Sequence, residues 1–250
     1  MNAEQKVQDT IAFARQHYGD RRSIHRRTLL QHAAAVAKLA EQIGMKLYQD
    51  VREDFMSGDT QESLAIIVHS ALLHDMINVS RCAFEEIAER TTVQIAAVVA
   101  DLSRDYRLVE TKRDMEFRGR LASSTVGAQV IAVADILCTT KEIIDMVNDL
   151  GVEAIPKARK ILMQLDGDLL AIHAASRFYT LRLYVHAARN LLQDASKLIK
   201  ECRTQHRQAR AAAHSMRMIR LRIAERKAAE EAQQKPQPQE TRRAGKKRTG

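Results

Sequence analysis

The spacing of hydrophobic residues along the chain is helical almost throughout. Apolar positions between Val7 and Tyr18 repeat at intervals of three and four residues and predict a first helix. The same spacing from Leu29 to Ile43 predicts a second helix, and Gly44 is expected to end it. No segment alternates between apolar and polar residues as a half-buried strand would. The pattern therefore predicts an all-α fold.

Three further helical segments complete the N-terminal part. The run from Ser63 to Leu73 is apolar nearly all round, as expected of a buried central helix. Residues 82–103 predict a short helix, a break at two adjacent threonines, and another helix. Residues 125–150 predict a long helix that ends at Gly151. Residues 1–150 are thus expected to form one helical domain.

The remainder is predicted to be a helical extension, residues 151–232, followed by a disordered basic tail, residues 233–250. Pro156 suits the first turn of a helix. No proline or glycine occurs from Ala171 to Ala232, which fits either one very long helix or two helices joined by a tight turn. The second half of that run is rich in alanine and arginine, and we expect it to be exposed to solvent.

The excess of positive charge is confined to the C-terminal fifth of the chain. The 250 residues carry a formal net charge of +9, yet residues 200–250 contain 15 Lys/Arg against 5 Asp/Glu, and the rest contains 25 against 26. A weak contact with nucleic acid is therefore expected only from the basic C-terminal segment. The alternative is a solvated charged helix, which the lack of aromatic residues between the arginines favours.

Compartment and assembly are constrained only loosely by the composition. No apolar run approaches the roughly 20 residues that a bilayer span needs, and the first ten residues lack the apolar core of a signal peptide. Three scattered cysteines without CxxC spacing indicate free thiols. We expect a cytoplasmic protein with no membrane partner. The oligomeric state stays open, with a homo-oligomer paired through the C-terminal helix as one alternative.

Ionisable residues interrupt the apolar segments at three places. His32 lies on or beside the apolar face of the second predicted helix, His74 and Asp75 end the third, and Asp135 stands among apolar neighbours in the long helix. A carboxylate in such surroundings is costly to bury unless it is paired. A divalent cation would satisfy two imidazoles and two carboxylates at once, and nitrogen and oxygen donors suit Mn²⁺, Fe²⁺, Zn²⁺ or Mg²⁺. For each histidine, a hydrogen-bonded core residue is the alternative.

These residues belong to a series of motifs that resembles the HD superfamily of metal-dependent phosphohydrolases. The match is to the hydrolase domain of RelA/SpoT-type (p)ppGpp 3′-pyrophosphohydrolases and their small stand-alone relatives. "FARQHYGDRR" resembles the opening segment of that family, "QHAAAVA" supplies its first metal histidine, and "ALLHD" is present verbatim. Residues 109–135 align without gaps onto the segment that leads to its second metal aspartate. The resemblance covers about residues 5–150 and implies an HD-domain helical bundle.

The resemblance implies a ligand set. His32, His74, Asp75 and Asp135 would hold a divalent ion, with Mn²⁺ first among the candidates and Fe²⁺, Zn²⁺ or Mg²⁺ as alternatives. The four side chains are then expected to converge within a few ångströms.

It also implies residues for substrate binding. Arg22 and Arg113 would stand near phosphates, because the paired donors of a guanidinium suit phosphoryl oxygens. Thr139 falls at or near a polar position that the family places beside the nucleotide. His17 would support the nucleotide or the ligand helix, with a structural histidine as the alternative.

The chain departs from the family at the two residues that orient water and transfer its proton. The family has Glu-Asp two residues after its HD pair, whereas "HDMINV" puts Asn78 and Val79 there. An amide can orient water but cannot take its proton. The loop "RRSIHRRTLLQH" also lacks the Gly-x-Pro-Tyr turn of the family.

Two hypotheses therefore remain open. One is a metal-dependent phosphohydrolase of a nucleotide or related phosphorylated small molecule, with an altered catalytic pair. The other is a catalytically impaired HD protein that binds nucleotide or metal as a sensor or interaction module.

Overall fold

The computed structural model describes residues 3–51 and 60–234, and the segments predicted to be helical are helices. Within the described residues, the only β structure is an isolated bridge between Arg22 and Thr28. The α-helices are α1 (Ala3–Tyr18), α2 (Leu29–Val51), α3 (Thr60–Leu73), α4 (Met76–Ser80), α5 (Phe84–Arg90), α6 (Val93–Asp101), α7 (Glu110–Ser123), α8 (Val126–Leu150), α9 (Ile155–Ala175) and α10 (Tyr179–Gln234), with a 3₁₀ turn at Gly151–Ala154. The all-α prediction is confirmed.

Helices α2, α3 and α8 pack against one another and form the centre of the bundle. Every residue of α8 from Ala128 to Thr140 is buried except Asp135. Burial of a helix on all sides requires an apolar sequence all round, which α8 has. The single partly exposed residue in this stretch is thus the carboxylate predicted to bind metal.

The prediction that Gly44 ends the second helix was wrong, because α2 continues to Val51. A Cβ atom at position 44 would lie 3.0 Å from Cδ2 of Leu64 and 3.3 Å from Cδ1 of Ile67. The glycine therefore allows α3 to approach α2 closely. Glycine at a helix end and glycine at a close helix crossing look the same in a single sequence.

Two other predicted helix boundaries are confirmed by their capping groups. The hydroxyl of Thr92 accepts a hydrogen bond from the backbone N–H of Ile95 and starts α6 after the predicted break. Gly151 ends α8 with a φ of +60°, a conformation that glycine adopts without steric cost.

The C-terminal segment consists of two helices, since α9 ends at Ala175 and α10 begins at Tyr179. Pro156 lies in the first turn of α9, as predicted. The first half of α10 buries one side chain about every three to four residues, and the helix continues beyond it. The buried positions are Leu181, Val185, Ala188, Leu192, Ala195 and Ile199.

Residues up to Arg203 form one compact unit, and a second unit begins at Thr204. Described side chains from Arg203 to Lys227 are exposed, as expected for this alanine- and arginine-rich segment. The predicted tail lies outside the described residues apart from Gln233 and Gln234, which end α10. The predicted division at residue 151 stays a prediction.

One 18-residue window in the described part of the chain, Ser63–Ser80, has a mean hydropathy of 1.3, enough for a membrane span by composition alone, and 44% of it is buried. It covers α3, the turn at His74–Asp75 and α4. A buried core helix of a bundle passes the same test. The cytoplasmic location stays a prediction.

Candidate metal centre

Three of the four predicted ligands converge between α2, α3 and α8. The ligand atoms of His32, His74 and Asp135 all lie within 4.8 Å of one another. Nε2 of His32 lies 3.0 Å and Nε2 of His74 lies 3.8 Å from the same oxygen, Oδ1 of Asp135. Two imidazole nitrogens thus face one carboxylate oxygen.

The fourth predicted ligand, Asp75, stands at the edge of this group. Its Oδ2 lies 3.5 Å from Nε2 of His74, and its side chain is about one-third exposed. It occupies the N-cap position of α4 but makes no side-chain capping bond there. The carboxylate is therefore available on the open side of the centre.

His74 presents a buried nitrogen that lacks a partner. Its Nδ1 lies 2.8 Å from the carbonyl oxygen of Ala71, which can only accept, so Nδ1 carries the proton. Its Nε2 is buried and makes no hydrogen bond to any described residue. In the neutral ring this nitrogen directs a lone pair towards the oxygens of Asp75 and Asp135. A cation between these atoms would satisfy all of them.

His32 is oriented by a second buried carboxylate. Its Nδ1 lies 2.9 Å from Oε1 of Glu142, so Nδ1–H donates to Glu142 and Nε2 faces the centre. Burial lowers the pKa of His32, but the hydrogen bonds with Asp135 and Glu142 outweigh it and raise the pKa to about 10. The two carboxylates around His32 therefore favour positive charge at this position.

The neighbours of Asp135 favour its ionised form. Burial would raise its pKa, but the hydrogen bond from His32 and the nearby His74 hold it at about 2. The hydroxyl of Thr139, one helical turn further along α8, donates to Oδ1 at 3.0 Å. Thr139, predicted to lie near the nucleotide, thus orients a predicted metal ligand.

These residues fit a divalent metal ion. The donor set combines two imidazole nitrogens with carboxylate oxygens, and each histidine donates its other N–H to an acceptor that fixes the ring. The distances of 3.0, 3.5 and 3.8 Å between ligand atoms are close to the separation of about 3–3.7 Å expected for ligands about 2.0–2.3 Å from a shared ion.

Asn78 and Val79 lie on α4, immediately after the His-Asp pair. The Asn78 carbonyl oxygen accepts the backbone N–H of Arg104 at 3.0 Å and so links α4 to the segment after α6. The backbone oxygen of Val79 accepts a hydrogen bond from Arg21. Neither side chain supplies a carboxylate at this end of the centre.

The predicted phosphate-binding Arg22 lies on an exposed loop, residues 19–28, between α1 and α2. Its guanidinium donates to the carbonyl oxygen of Arg26 at 2.7 Å. The loop is tied to α8 because Ser23 donates to Glu142 at 2.7 Å and His25 lies 2.6 Å from Asp149. These contacts hold an arginine-rich loop beside the carboxylate that orients His32.

The structure gives Arg113 and His17 other neighbours. The guanidinium of Arg113 lies over the ring of Tyr106, and its Nε is 3.8 Å from Asp114. Nε2 of His17 lies 3.2 Å from Glu86. The substrate-binding roles of both residues stay predictions.

Sequence reasoning missed Glu142, Ser23 and Arg27. Glu142 is almost fully buried, accepts hydrogen bonds from His32 and Ser23, and has Arg27 3.8 Å away. Burial would raise the pKa of Glu142, but these hydrogen bonds lower it. A signal for Glu142 existed, since it stands seven residues after Asp135 on the same helix face.

Comparison with known proteins supports the fold. A solved structure with the same architecture, described as a metazoan ortholog of SpoT that hydrolyzes ppGpp and plays a role in starvation responses, superposes with a TM-score of 0.51. The match covers 73% of this chain and 93% of that one, at 14% sequence identity. The chain therefore shares the fold of this SpoT ortholog. No protein-family model and no curated protein sequence matches it.

The predicted HD-domain bundle is confirmed by this match. At 14% identity the likeness concerns the fold, so the chemistry has to be argued from the residues of this chain. The described part of this chain has His and Asp groups that could hold a divalent metal ion.

Proposed function

We propose that the protein is a divalent-metal-dependent phosphohydrolase that acts on a nucleotide or a related phosphorylated small molecule. The observation that carries this proposal is the buried Nε2 of His74, which has no hydrogen-bond partner among the described residues and faces two carboxylates. An unpaired buried polar atom costs stability. The position of this unpaired nitrogen beside His32 and Asp135 supports a role for His74 as a metal ligand.

His32, His74, Asp75 and Asp135 would hold the ion, for which Mn²⁺ is our first candidate. When bound, it supplies Lewis acidity, which polarises a phosphoryl oxygen and lowers the pKa of water. Glu142 and the Ala71 carbonyl hold the two imidazoles with Nε2 towards the centre, and Thr139 holds Asp135. The protein thus contributes a rigid set of ligands.

The substrate's phosphates would lie against the loop of residues 19–28. This loop carries Arg21, Arg22, Arg26 and Arg27 within seven positions, and Arg22 and Arg26 are exposed. Guanidinium groups bind phosphoryl oxygens through paired donors. Ser23 fastens the loop to Glu142, the carboxylate that orients His32, and Arg27 lies 3.8 Å from the same carboxylate.

A second candidate function is binding without turnover. Asn78 uses its carbonyl oxygen to accept the Arg104 backbone N–H, and Val79 is apolar. The positions that hold Glu-Asp in the family therefore supply no general base, whose absence typically costs about 10²–10⁴-fold in rate. A protein of this kind would bind metal and nucleotide as a sensor.

Elemental analysis followed by a hydrolysis panel tests the proposal. The purified chain is expected to contain at least one divalent ion and to release phosphate or pyrophosphate from a nucleotide in the panel. His74→Ala/Asp75→Ala should lose hydrolysis and one bound ion per chain relative to the wild type, whereas His214→Ala/Glu225→Ala, on the exposed part of α10, should keep both. A folded wild-type chain that binds no divalent ion would contradict the proposal.

Two variants of Asn78 and Val79 distinguish the phosphohydrolase from the sensor alternative. Asn78→Glu/Val79→Asp restores two carboxylates, and the uncharged Asn78→Gln/Val79→Asn controls for side-chain size. If the wild type binds metal and nucleotide without turnover while only the carboxylate variant hydrolyses, the sensor alternative is correct.

Weak nucleic-acid contact through the exposed second half of α10 stays a prediction, as does a homo-oligomer. Neutralised phosphates make binding fall steeply with salt. A binding constant for RNA that does not change with ionic strength would contradict the nucleic-acid contact.

A further inference from the structure

A second group of metal-ligating side chains occurs where α1 meets the connection between α4 and α5. It consists of His17, Cys82 and Glu86, whose ligand atoms all lie within 4.8 Å of one another. Nε2 of His17 is 3.2 Å from Oε1 of Glu86, and Sγ of Cys82 is 3.3 Å from Oε2 of the same carboxylate. None of the three belongs to the HD centre.

Three separate segments bring these groups together. His17 lies in the last turn of α1, Cys82 in the connection after α4, and Glu86 in the first half of α5. Arg81, just before Cys82, has a φ of +56° and turns the chain. Cys82 is buried and Glu86 is nearly half exposed, so an ion could reach the thiol from solvent along the carboxylate.

The donor set selects for zinc. One sulfur, one nitrogen and one carboxylate oxygen are the ligand types that Zn²⁺ accepts in proteins, whereas Mg²⁺ and Ca²⁺ avoid sulfur. Ligands of a tetrahedral zinc with bonds of about 2.0–2.3 Å stand about 3.3–3.7 Å apart. His17 and Cys82 lie 3.2 and 3.3 Å from the two oxygens of Glu86, close to this spacing, and all three ligand atoms lie within 4.8 Å of one another. We propose that His17, Cys82 and Glu86 bind a zinc ion as a second metal centre, with the fourth position open to water.

Zinc binding at His17, Cys82 and Glu86 displaces protons from the ligands. Without metal, the Cys82 thiol donates to the Glu86 carboxylate, and Nε2 of His17 lies 3.2 Å from the other oxygen of that carboxylate. Zinc takes the place of the thiol proton, which is released, and binds Nε2 of His17 in the neutral tautomer that carries its proton on Nδ1. A ring protonated on both nitrogens releases its Nε2 proton as well. Binding therefore strengthens as pH rises.

A zinc ion here would join two segments that lead into the HD centre. The arginine-rich loop begins two residues after His17, and α4, which carries Asn78, ends just before Cys82. The ion would brace these segments without contacting the substrate. This gives His17 a positioning role in place of its predicted contact with the nucleotide.

Cobalt titration of the full chain tests the inference without interference from the HD centre. Co²⁺ substitutes for Zn²⁺, and a thiolate ligand gives it an intense charge-transfer absorption in the near ultraviolet that nitrogen and oxygen ligands do not give. The wild type should develop this band, saturating at one ion per chain. Zinc should abolish it by competition. Absence of the band in the folded, reduced protein would overturn the inference.

Variants assign the band to its ligands. Cys82→Ser should lose it, whereas Cys138→Ser and Cys202→Ser, the other two free cysteines of the described chain, should keep it. His17→Gln and Glu86→Gln retain the thiol and should weaken cobalt binding by more than about tenfold, at least the loss seen for outer partners of metal ligands. These two variants decide the question if Cys82→Ser does not fold. A band that survives Cys82→Ser, or unchanged affinity in both glutamine variants, would overturn the inference.

Discussion

Glu142→Gln tests whether the buried carboxylate behind His32 supports a metal centre. Glu142 is 2% exposed and accepts Nδ1–H of His32 at 2.9 Å and the Ser23 hydroxyl at 2.7 Å. Glutamine keeps the size and one accepting oxygen but removes the charge. Loss of such an outer partner lowers metal affinity about 10–100-fold, which corresponds to about 1.4–2.8 kcal/mol of binding free energy.

Calorimetric titration with Mn²⁺ measures this effect. Asp145→Asn is the matched control, because Asp145 is exposed on the same helix and lines the same 340 Å³ cavity as Glu142. The expected result is a 10–100-fold weaker Kd for Glu142→Gln and an unchanged Kd for Asp145→Asn. Equal affinities in the two variants, with both proteins folded, would refute the role assigned to Glu142.

Three further predictions concern stability. Gly44→Leu should lower the free energy of unfolding by about 1–3 kcal/mol through overpacking. Gly119→Ala, with no atom within 4 Å of the added Cβ, should raise it by about 0.5–1 kcal/mol. Urea unfolding measures both, and an unchanged free energy of unfolding in Gly44→Leu would contradict the close crossing of α2 and α3. Burial and, secondarily, Lys6 lower the pKa of His69, so the unfolded chain binds more protons and stability should fall as pH drops below about 6.5. Melting curves from pH 7.5 to 5 should show a smaller loss for His69→Gln than for the exposed control His214→Gln. Asp168 is buried against Arg104 and Arg118, so Asp168→Asn should cost about 1.5–3 kcal/mol, and the exposed Asp166→Asn should cost little in the same urea assay.

The helices of residues 1–150 could be predicted from sequence because their signals are local. The apolar spacing of α1, α3 and α8 is continuous, and the caps at Thr92 and Gly151 are encoded by the residues themselves. The positions of the histidines and aspartates on those helices then follow from the helical repeat. The approach of His32, His74 and Asp135 to within 4.8 Å requires the packing of α2, α3 and α8. The family resemblance predicted this approach, and periodicity alone did not.

Other features depend on contacts between segments distant in sequence. Gly44 resembles a helix end until the side chains of α3 are seen against it. Ser23 and Arg27 look like ordinary loop residues, and only the path of the loop across α8 brings them to Glu142. Glu142 itself could have been found, because a carboxylate seven residues after Asp135 in a buried helix needs a partner.

The central claim is a divalent ion held between His32, His74 and Asp135, and anomalous diffraction from crystals grown with Mn²⁺ tests it most directly. A manganese peak is expected about 2.0–2.3 Å from Nε2 of both histidines and from Oδ1 of Asp135. Crystals at saturating Mn²⁺ that show no peak there, with His74 Nε2 still unpartnered, would contradict it.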